Sequence, residues 1–194
     1  MYLCGMNRTA TLRRTFDSAH PIVMGLIGAV VIAGLTQVRI PLPFTPVPIT
    51  GQTFAVILWP LLFGRTVGMM AVGTYLAAGL LGAPVFSGFT AMSALWGPTS
   101  GYLIGFLASA AVVGTIRDNY LLAMERSVLR AVVTTLTIIV ATAIILGSGA
   151  MVLASFVGIE NVWTMGVAPF LGVDVIKTIL LLTSVEIARW TTRN

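Results

Sequence analysis

The sequence predicts an all-α integral membrane protein with six transmembrane helices. Of its 194 residues, 57% are hydrophobic and only 9% are charged, whereas a soluble domain carries about 25% charged residues. Several apolar runs reach about 20 residues, the length at which a helix rising roughly 1.5 Å per residue crosses a hydrocarbon core of about 30 Å. These runs lack the alternation of polar and apolar residues that is typical of outer-membrane barrel strands.

The six predicted helices are these apolar runs, taken in order along the chain. Their approximate ranges are 20–38, 49–63, 66–83, 97–116, 129–153 and 170–189. The second run is short, so it crosses only if it stands upright or if the bilayer thins locally; a re-entrant segment is the alternative. The chain then divides into a cytoplasmic basic segment at 1–19, a single six-helix membrane domain at 20–190 and a cytoplasmic tail at 191–194.

The distribution of arginine predicts the orientation. With six spans and the N-terminus inside, the inner side holds nine arginines and the outer side holds only Arg39. This is a strong positive-inside bias, and five spans would instead leave Arg189 and Arg193 outside. Because the arginines lie at the ends of apolar runs, the net charge of +5 reflects topology, and no nucleic-acid partner is expected. The nine inner arginines are Arg8, Arg13, Arg14, Arg65, Arg117, Arg126, Arg130, Arg189 and Arg193.

The outer loops differ in character from the inner ones. The segments at 39–50, 84–96 and 158–169 are rich in Pro, Gly, Phe and Trp, whereas the inner segment at 117–128 is charged. Ordinary turns with an aromatic belt explain the outer composition. A lid over a ligand site that opens to the outside explains it equally well.

Several chemistries are excluded by the residues present. The Walker A motif requires Gly-Lys-Ser/Thr, but the single lysine, Lys177, follows Ile176. One histidine, His20, and one cysteine, Cys4, are too few for a zinc site of the usual kind. The serine of "GSGA" at 147–150 has no later histidine to act as its base. We therefore expect no enzyme activity, no cofactor and no metal.

Small residues recur every four positions on the first helix, at Gly25, Ala29 and Ala33. This spacing lets two helix backbones approach closely. Internal packing is one explanation, and a flat face for a partner membrane protein is the other.

Two charged residues interrupt the last apolar run. Asp174 and Lys177 are three residues apart, so on a helix they share one face, about 4.5 Å apart along the axis. A charge at the bilayer centre costs roughly 2.5–3.5 kcal/mol on insertion scales, so such residues usually face the bundle interior and are paired or functional. The pair either locks the helix as a buried ion pair or contacts a ligand.

Four stretches of the chain carry a resemblance to a known family. They are "QVRIPLPFTPVPITGQTFAV" (37–56), "LGAPVFSG" (81–88), "GPTSGYLIGF" (97–106) and "PFLGVDVIK" (169–177). In this order the sequence resembles BioY, the biotin-specific substrate-binding subunit of energy-coupling factor (ECF) transporters, over about residues 25 to 190. That family typically carries Ile-Pro-Leu-Pro-Phe-Ser/Thr-Pro-Val-Pro-Ile-Thr-x-Gln-Thr. The chain departs from the usual pattern at Gly51, after Gly88 and at 172–173.

The resemblance implies a six-helix membrane subunit, surrounded by lipid, that captures biotin from outside a prokaryotic cell membrane. It implies a transmembrane coupling (T) protein and two cytoplasmic ATPase subunits as partners. It also implies that the face formed by Gly25, Ala29 and Ala33 docks the coupling protein. The alternative is a stand-alone secondary transporter or proton-coupled facilitator that uses Asp174 and Lys177 as a relay.

Biotin has a carboxylate, a ureido ring and an apolar thiophane ring, and the implied site lies under the loops at 39–50 and 84–96. A cation suits the carboxylate, for which Arg39 and Lys177 are both candidates. An acid and neighbouring polar groups suit the ureido ring, and aromatic side chains suit the apolar wall. The complete set of candidates is Arg39, Phe44, Gln52, Thr53, Phe86, Trp96, Asp174 and Lys177.

Overall fold

The computed structural model describes residues 20–125 and 127–193, and most of these residues are helical. The predicted basic segment at 1–19, Arg126 and the last residue of the predicted tail lie outside the described residues. The helices are α1 (Pro21–Gln37), α2 (Gln52–Leu80), α3 (Ser100–Ile116), α4 (Ser127–Val157) and α5 (Ala168–Arg193). Two short strands, β1 (Arg39–Ile40) and β2 (Ile49–Thr50), form an antiparallel ribbon between α1 and α2.

Four helical stretches are long and apolar enough to cross a membrane. They are Gln52–Leu80, Ser100–Leu121, Ser127–Val157 and Trp163–Thr191, and a shorter apolar helix covers Pro21–Gln37. The prediction of a predominantly helical chain with several membrane-length helices is confirmed. The two-stranded ribbon is an addition that the all-α prediction did not contain.

Helix α2 reverses direction at Gly64, whose φ of +87° and ψ of −179° are outside the helical region. Glycine adopts this backbone conformation freely, whereas other residues do not. The reversal is visible in the contacts between the two halves, because the Tyr75 hydroxyl donates to Gln52 Oε1 at 3.0 Å and Gly68 packs directly on Pro60. The helices predicted at 49–63 and 66–83 correspond to these two antiparallel halves.

Contacts between the helices define two ends of the described molecule. One end, the cavity end, holds the ribbon, the loop at 81–99 and the start of α5. The other, the arginine end, holds Gly64, the segment at 117–125 and the last turns of α5.

At the arginine end, charged side chains form hydrogen bonds with backbone groups of α2 next to the reversal at Gly64. The Arg117 guanidinium donates from Nη2 to the Leu62 carbonyl at 2.8 Å and from Nε to the Leu61 carbonyl at 3.3 Å. The Asp118 carboxylate accepts from the Arg65 backbone N–H at 2.9 Å. A cation thus satisfies carbonyls at the end of one helical half, and an anion satisfies an N–H at the start of the next, as helix dipoles favour.

The small residues of α1 pack against α2. A Cβ atom built on Gly25 would lie 2.8 Å from Met70 Cβ, Ala29 is buried, and Trp59 Nε1 donates to the Met24 carbonyl at 3.1 Å. The positions of Gly25 and Ala29 therefore favour internal packing over an open docking face, while Ala33 is half-buried. The opposite side of α1 is exposed and aliphatic, at Ile22, Val23, Leu26, Ile27 and Val30.

Helix α5 is the most peripheral of the long helices. The buried share of its most apolar stretch is 17%, against 56% for α2 and for α3. It is attached at the arginine end by an ion pair between the buried Arg130 guanidinium of α4 and Glu186, with Nη2 and Oε2 3.1 Å apart. Its attachment at the cavity end is part of the candidate site.

Candidate ligand-binding site

A cavity of about 350 Å³ lies at the cavity end, between α2, α3, α4 and α5. Ligand pockets in proteins usually measure about 300–1,000 Å³, so the space suits a small molecule. Its lining combines apolar and aromatic side chains with a few hydroxyls and charges. Of the eight candidates from the sequence, six line the cavity, namely Arg39, Gln52, Thr53, Phe86, Asp174 and Lys177.

The ribbon and its proline-rich loop form one part of the roof. Arg39 pairs with Thr50 in the ribbon, and the loop between the strands contributes Pro46 and Pro48 to the lining. The Thr45 hydroxyl donates to the Met165 carbonyl at 2.7 Å. This bond ties the loop to the turn that precedes α5, so two segments far apart in sequence close the cavity together.

The loop that follows α2 forms the second part of the roof, and Gln37 holds it in place. Gln37 Nε2 donates to the Phe86 carbonyl at 3.1 Å, and its Oε1 accepts from the Phe89 N–H at 3.3 Å. The Phe86 N–H in turn donates to the Thr90 carbonyl at 2.9 Å. Gly88 has a φ of +72°, the left-handed conformation that this tight turn requires.

Phe86 is buried in this loop and forms an apolar wall of the cavity. Its ring meets the Tyr75 ring edge to face, with centroids 5.2 Å apart and an angle of 87°. Gly79 makes room for the ring, because any Cβ there would collide with it. The position of Phe86 is therefore fixed by packing before any ligand arrives.

Asp174 and Lys177 lie on the first turns of α5 and face the cavity. Lys177 Nζ donates to Thr53 Oγ1 at 2.6 Å and lies 3.6 Å from Asp174 Oδ1. The two side chains are only 14% and 15% exposed. Because the ammonium has three N–H donors and the carboxylate has two acceptor oxygens, both groups retain capacity for a ligand.

Gln52 is oriented at the first turn of α2. Its Oε1 accepts from the Tyr75 hydroxyl at 3.0 Å and lies 3.1 Å from Thr36 Oγ1. Within the described chain, no hydrogen bond engages Gln52 Nε2, which leaves two amide donors for a cavity ligand. Gly51 permits this arrangement, since a Cβ there would lie 2.8 Å from the Leu35 carbonyl oxygen.

Arg39 lies at the rim, and its guanidinium rests on Gly88 of the second loop. Among residues 20–125 and 127–193, no carboxylate forms an ion pair with it. It is thus a cation at the cavity mouth whose charge is not neutralised by a described residue.

Phe44 and Trp96 are not brought together with the other candidates. They are 53% and 74% exposed, and neither lines the cavity. Sequence reasoning missed two aromatic residues that do line it, Tyr102 and Phe170, whose ring centroids are 6.0 Å apart. Tyr102 also donates to the Gly166 carbonyl at 2.8 Å. Both residues lie inside the quoted family stretches, which was the signal that could have found them.

The arrangement is suited to binding. A cation at the rim, a half-buried acid and base beside Thr53, and aromatic walls between them complement a small molecule with polar groups and an apolar body. The part of the chain that the structure describes contains no cluster of three His, Cys, Asp or Glu residues able to hold a metal ion.

Comparisons with known proteins bear on the family and the fold of this chain. The model of the BioY family matches residues 6–193. A Pyrococcus horikoshii protein named probable biotin transporter BioY is 35% identical over 68% of this chain and 74% of its own. The Lactococcus lactis subsp. cremoris protein named biotin transporter BioY2 is 33% identical over 84% of this chain and 86% of its own.

A solved structure shares the fold. The crystal structure of the S-component for biotin from an ECF-type ABC transporter covers 95% of both chains with a TM-score of 0.76 and 23% identity. The match of the family model along nearly the whole sequence shows that this chain belongs to the BioY family.

Proposed function

We propose that this protein is the biotin-binding subunit of an ECF-type transporter in a prokaryotic cell membrane, and that it captures biotin from outside. The observation that carries the proposal is the roofed cavity, in which Lys177, Asp174 and Thr53 meet among membrane-length helices. Charged groups within a membrane-spanning helix cost free energy, so they are usually paired or functional. The names of the relatives supply biotin as the ligand to test first.

The carboxylate of biotin is assigned to Arg39. Lys177 is already engaged by Thr53 and Asp174, whereas Arg39 has no described acidic partner. A guanidinium also offers a planar pair of N–H donors that matches a carboxylate. The unneutralised charge at the rim is therefore the better partner for an anionic tail.

The ureido ring is assigned to the inner polar group. Its two N–H groups need acceptors, which the Asp174 carboxylate supplies, and its carbonyl needs donors, which Lys177 and Gln52 Nε2 supply. The thiophane ring then lies against Phe86 and the aromatic pair of Tyr102 and Phe170. Phe44 and Trp96 stay predictions without support from the cavity lining.

Six spans with both termini in the cytoplasm are proposed as the topology. The arginine end then faces the cytoplasm, consistent with the positive-inside rule, and the cavity end faces outward. The first half of α2 is the short segment for which a re-entrant arrangement is the alternative. Single cysteines at positions 120 and 65 should react only from the cytoplasm, and outside labelling at 65 alone would favour the re-entrant arrangement.

A coupling protein and two ATPase subunits are proposed as partners. The chain has no Walker A motif, so ATP hydrolysis by that route must come from other subunits. The exposed aliphatic side of α1 is available for a membrane partner, while Gly25 and Ala29 act indirectly by setting the distance between α1 and α2. Replacing the half-buried Ala33 with a larger residue tests whether the coupling protein also contacts this edge of the exposed side of α1.

A proton-coupled facilitator is the second candidate, since the Asp174–Lys177 pair also suits a relay. Uptake by the protein alone in ATP-free liposomes with a proton gradient would support it. Co-purification with a coupling protein and ATPases would support the first proposal.

Ligand binding by the purified protein is the decisive experiment. Titration calorimetry should show saturable binding of biotin, weaker binding of dethiobiotin, and no binding of lipoate, thiamine or riboflavin. Binding of another vitamin in preference to biotin would overturn the proposed function.

A further inference from the structure

The roof loop contains a serine hydroxyl that the protein itself does not use. Ser87 lines the cavity, and its Oγ is buried without a hydrogen-bond partner among the described residues. An unpartnered buried hydroxyl costs roughly 1–3 kcal/mol. Such a group in a native structure therefore calls for a physical explanation.

The backbone of the surrounding loop forms its hydrogen bonds with groups other than the Ser87 hydroxyl. The Ser87 carbonyl accepts from Thr90 Oγ1 at 3.1 Å, and Gln37 fixes the carbonyls and N–H groups on either side. The loop is thus closed by hydrogen bonds of Gln37 and Thr90, and the Ser87 hydroxyl adds no hydrogen bond to that closure. The Oγ atom is buried in this conformation, so contact with a ligand requires rotation about χ1 to another staggered position that faces the cavity.

The position of Ser87 also indicates which part of a ligand it meets. The Arg39 guanidinium packs against the backbone of the next residue, Gly88. Ser87 and Arg39 therefore lie together on the roof side of the cavity, away from the α5 residues Asp174 and Lys177. A hydroxyl donor beside an unneutralised cation is suited to an anionic oxygen.

We propose that Ser87 is a specificity-determining residue that donates a hydrogen bond to the carboxylate of the bound ligand, next to Arg39. The proposal rests on the proposed function, because it takes an anionic vitamin as the occupant of the cavity. Ligand binding supplies the partner that the hydroxyl lacks in the empty site. The bond adds selectivity for the free acid over neutral derivatives.

The test compares Ser87→Ala with Ser109→Ala by calorimetry and thermal unfolding. Ser109 Oγ is the matched control, because it too is buried without a described partner but does not line the cavity. We expect Ser87→Ala to weaken biotin binding about tenfold, as loss of a hydrogen bond to a charged group does. Ser109→Ala should bind biotin as the wild type does.

The neutral methyl ester of biotin identifies the ligand group. If Ser87 donates to the carboxylate, Ser87→Ala and wild type should differ by only about threefold or less for the ester, because bonds to neutral acceptors are weaker. Equal losses for acid and ester would overturn the assignment to the carboxylate.

Two further outcomes separate a binding role from a structural one. Without ligand, Ser87→Ala should unfold at the same temperature as wild type or higher, since it removes an unsatisfied group; a lower unfolding temperature would overturn the proposal. Ser87→Cys, which has a somewhat larger side chain and is only a weak donor, should reproduce the loss of affinity. If Ser87→Ala binds biotin as tightly as the wild type does, the role of Ser87 is refuted and the proposed function is not. If the wild type itself does not bind biotin, the proposed function is refuted as well.

Discussion

The two ends of the helical bundle use polar groups in opposite ways. At the arginine end, Arg117 and Asp118 satisfy backbone groups of α2, and Arg130 is neutralised by Glu186. At the cavity end, polar side chains that keep unused hydrogen-bonding capacity line the cavity. The comparison indicates that the charges of the arginine end are used up in holding the helices, whereas the pair at the cavity end, although it is joined, keeps donors and acceptors for a further partner.

The largest expected effect comes from removing the charges of the cavity end together. The double variant Asp174→Asn/Lys177→Met should fold, because neither charge is left unpaired, yet should lose well over tenfold in biotin affinity, at about 1.4 kcal/mol per decade. Calorimetry on the monodisperse protein measures this. Near wild-type affinity would mean that this pair, like those of the arginine end, serves only the helix.

At the arginine end the pattern of effects should be reversed. Glu186→Gln leaves the buried Arg130 guanidinium without its counter-ion, and we expect a loss of about 1.5–3 kcal/mol in the free energy of unfolding. Biotin affinity of the folded fraction should stay unchanged. A fall in affinity without a fall in unfolding temperature would contradict the separation of roles between the ends.

The reversal in α2 offers a smaller structural effect. Gly64→Ala places a Cβ on a backbone conformation that is nearly exclusive to glycine, at a cost of about 1–3 kcal/mol, and 2.6 Å from Asp118 Oδ1. Thermal unfolding should show the loss. Gly73→Ala is the matched control on the same helix, because a Cβ there meets nothing within 4 Å. Equal stability of the two variants would show that the reversal tolerates a side chain.

The smallest effects are expected at the exposed loop aromatics. Phe44→Ala and Trp96→Ala should change biotin affinity by less than about twofold, since neither side chain lines the cavity. Phe86→Ala, by contrast, should weaken binding clearly. A strong loss in Trp96→Ala would show that this ring folds over the bound ligand.

Much of the helical framework was predictable because apolar run length and arginine placement are local signals. The division of α2 into two halves was also predictable, since "GR" at 64–65 interrupts an apolar stretch. The helix against which Gly25 and Ala29 pack could not be predicted from the sequence. The spacing of small residues is the same whether the neighbouring helix belongs to this chain or to another protein.

The site was predictable in its charges and less so in its loops. Asp174, Lys177 and Thr53 were identifiable because charge and family stretches mark them. The loop aromatics were not, because their direction depends on bonds such as that from Thr45 to Met165, which join residues 120 positions apart. Nothing in a sequence distinguishes Ser87, since an unpartnered hydroxyl is defined only by what surrounds it.

The short first half of α2 sets the depth, below the outer membrane surface, at which the cavity residues Gln52 and Thr53 lie in the proposed orientation. From Gln52 to Phe63 the helix rises only about 18 Å at roughly 1.5 Å per residue, against a hydrocarbon thickness of about 30 Å. In the proposed orientation, Gln52 and Thr53 therefore lie well below the outer lipid headgroups. Irregular backbone at such depth is tolerated where it lines a cavity, as the ribbon and its loop do here. In that orientation the cavity lies within the outer leaflet, and a ligand such as the proposed biotin would leave bulk water before it contacts Gln52 and Thr53.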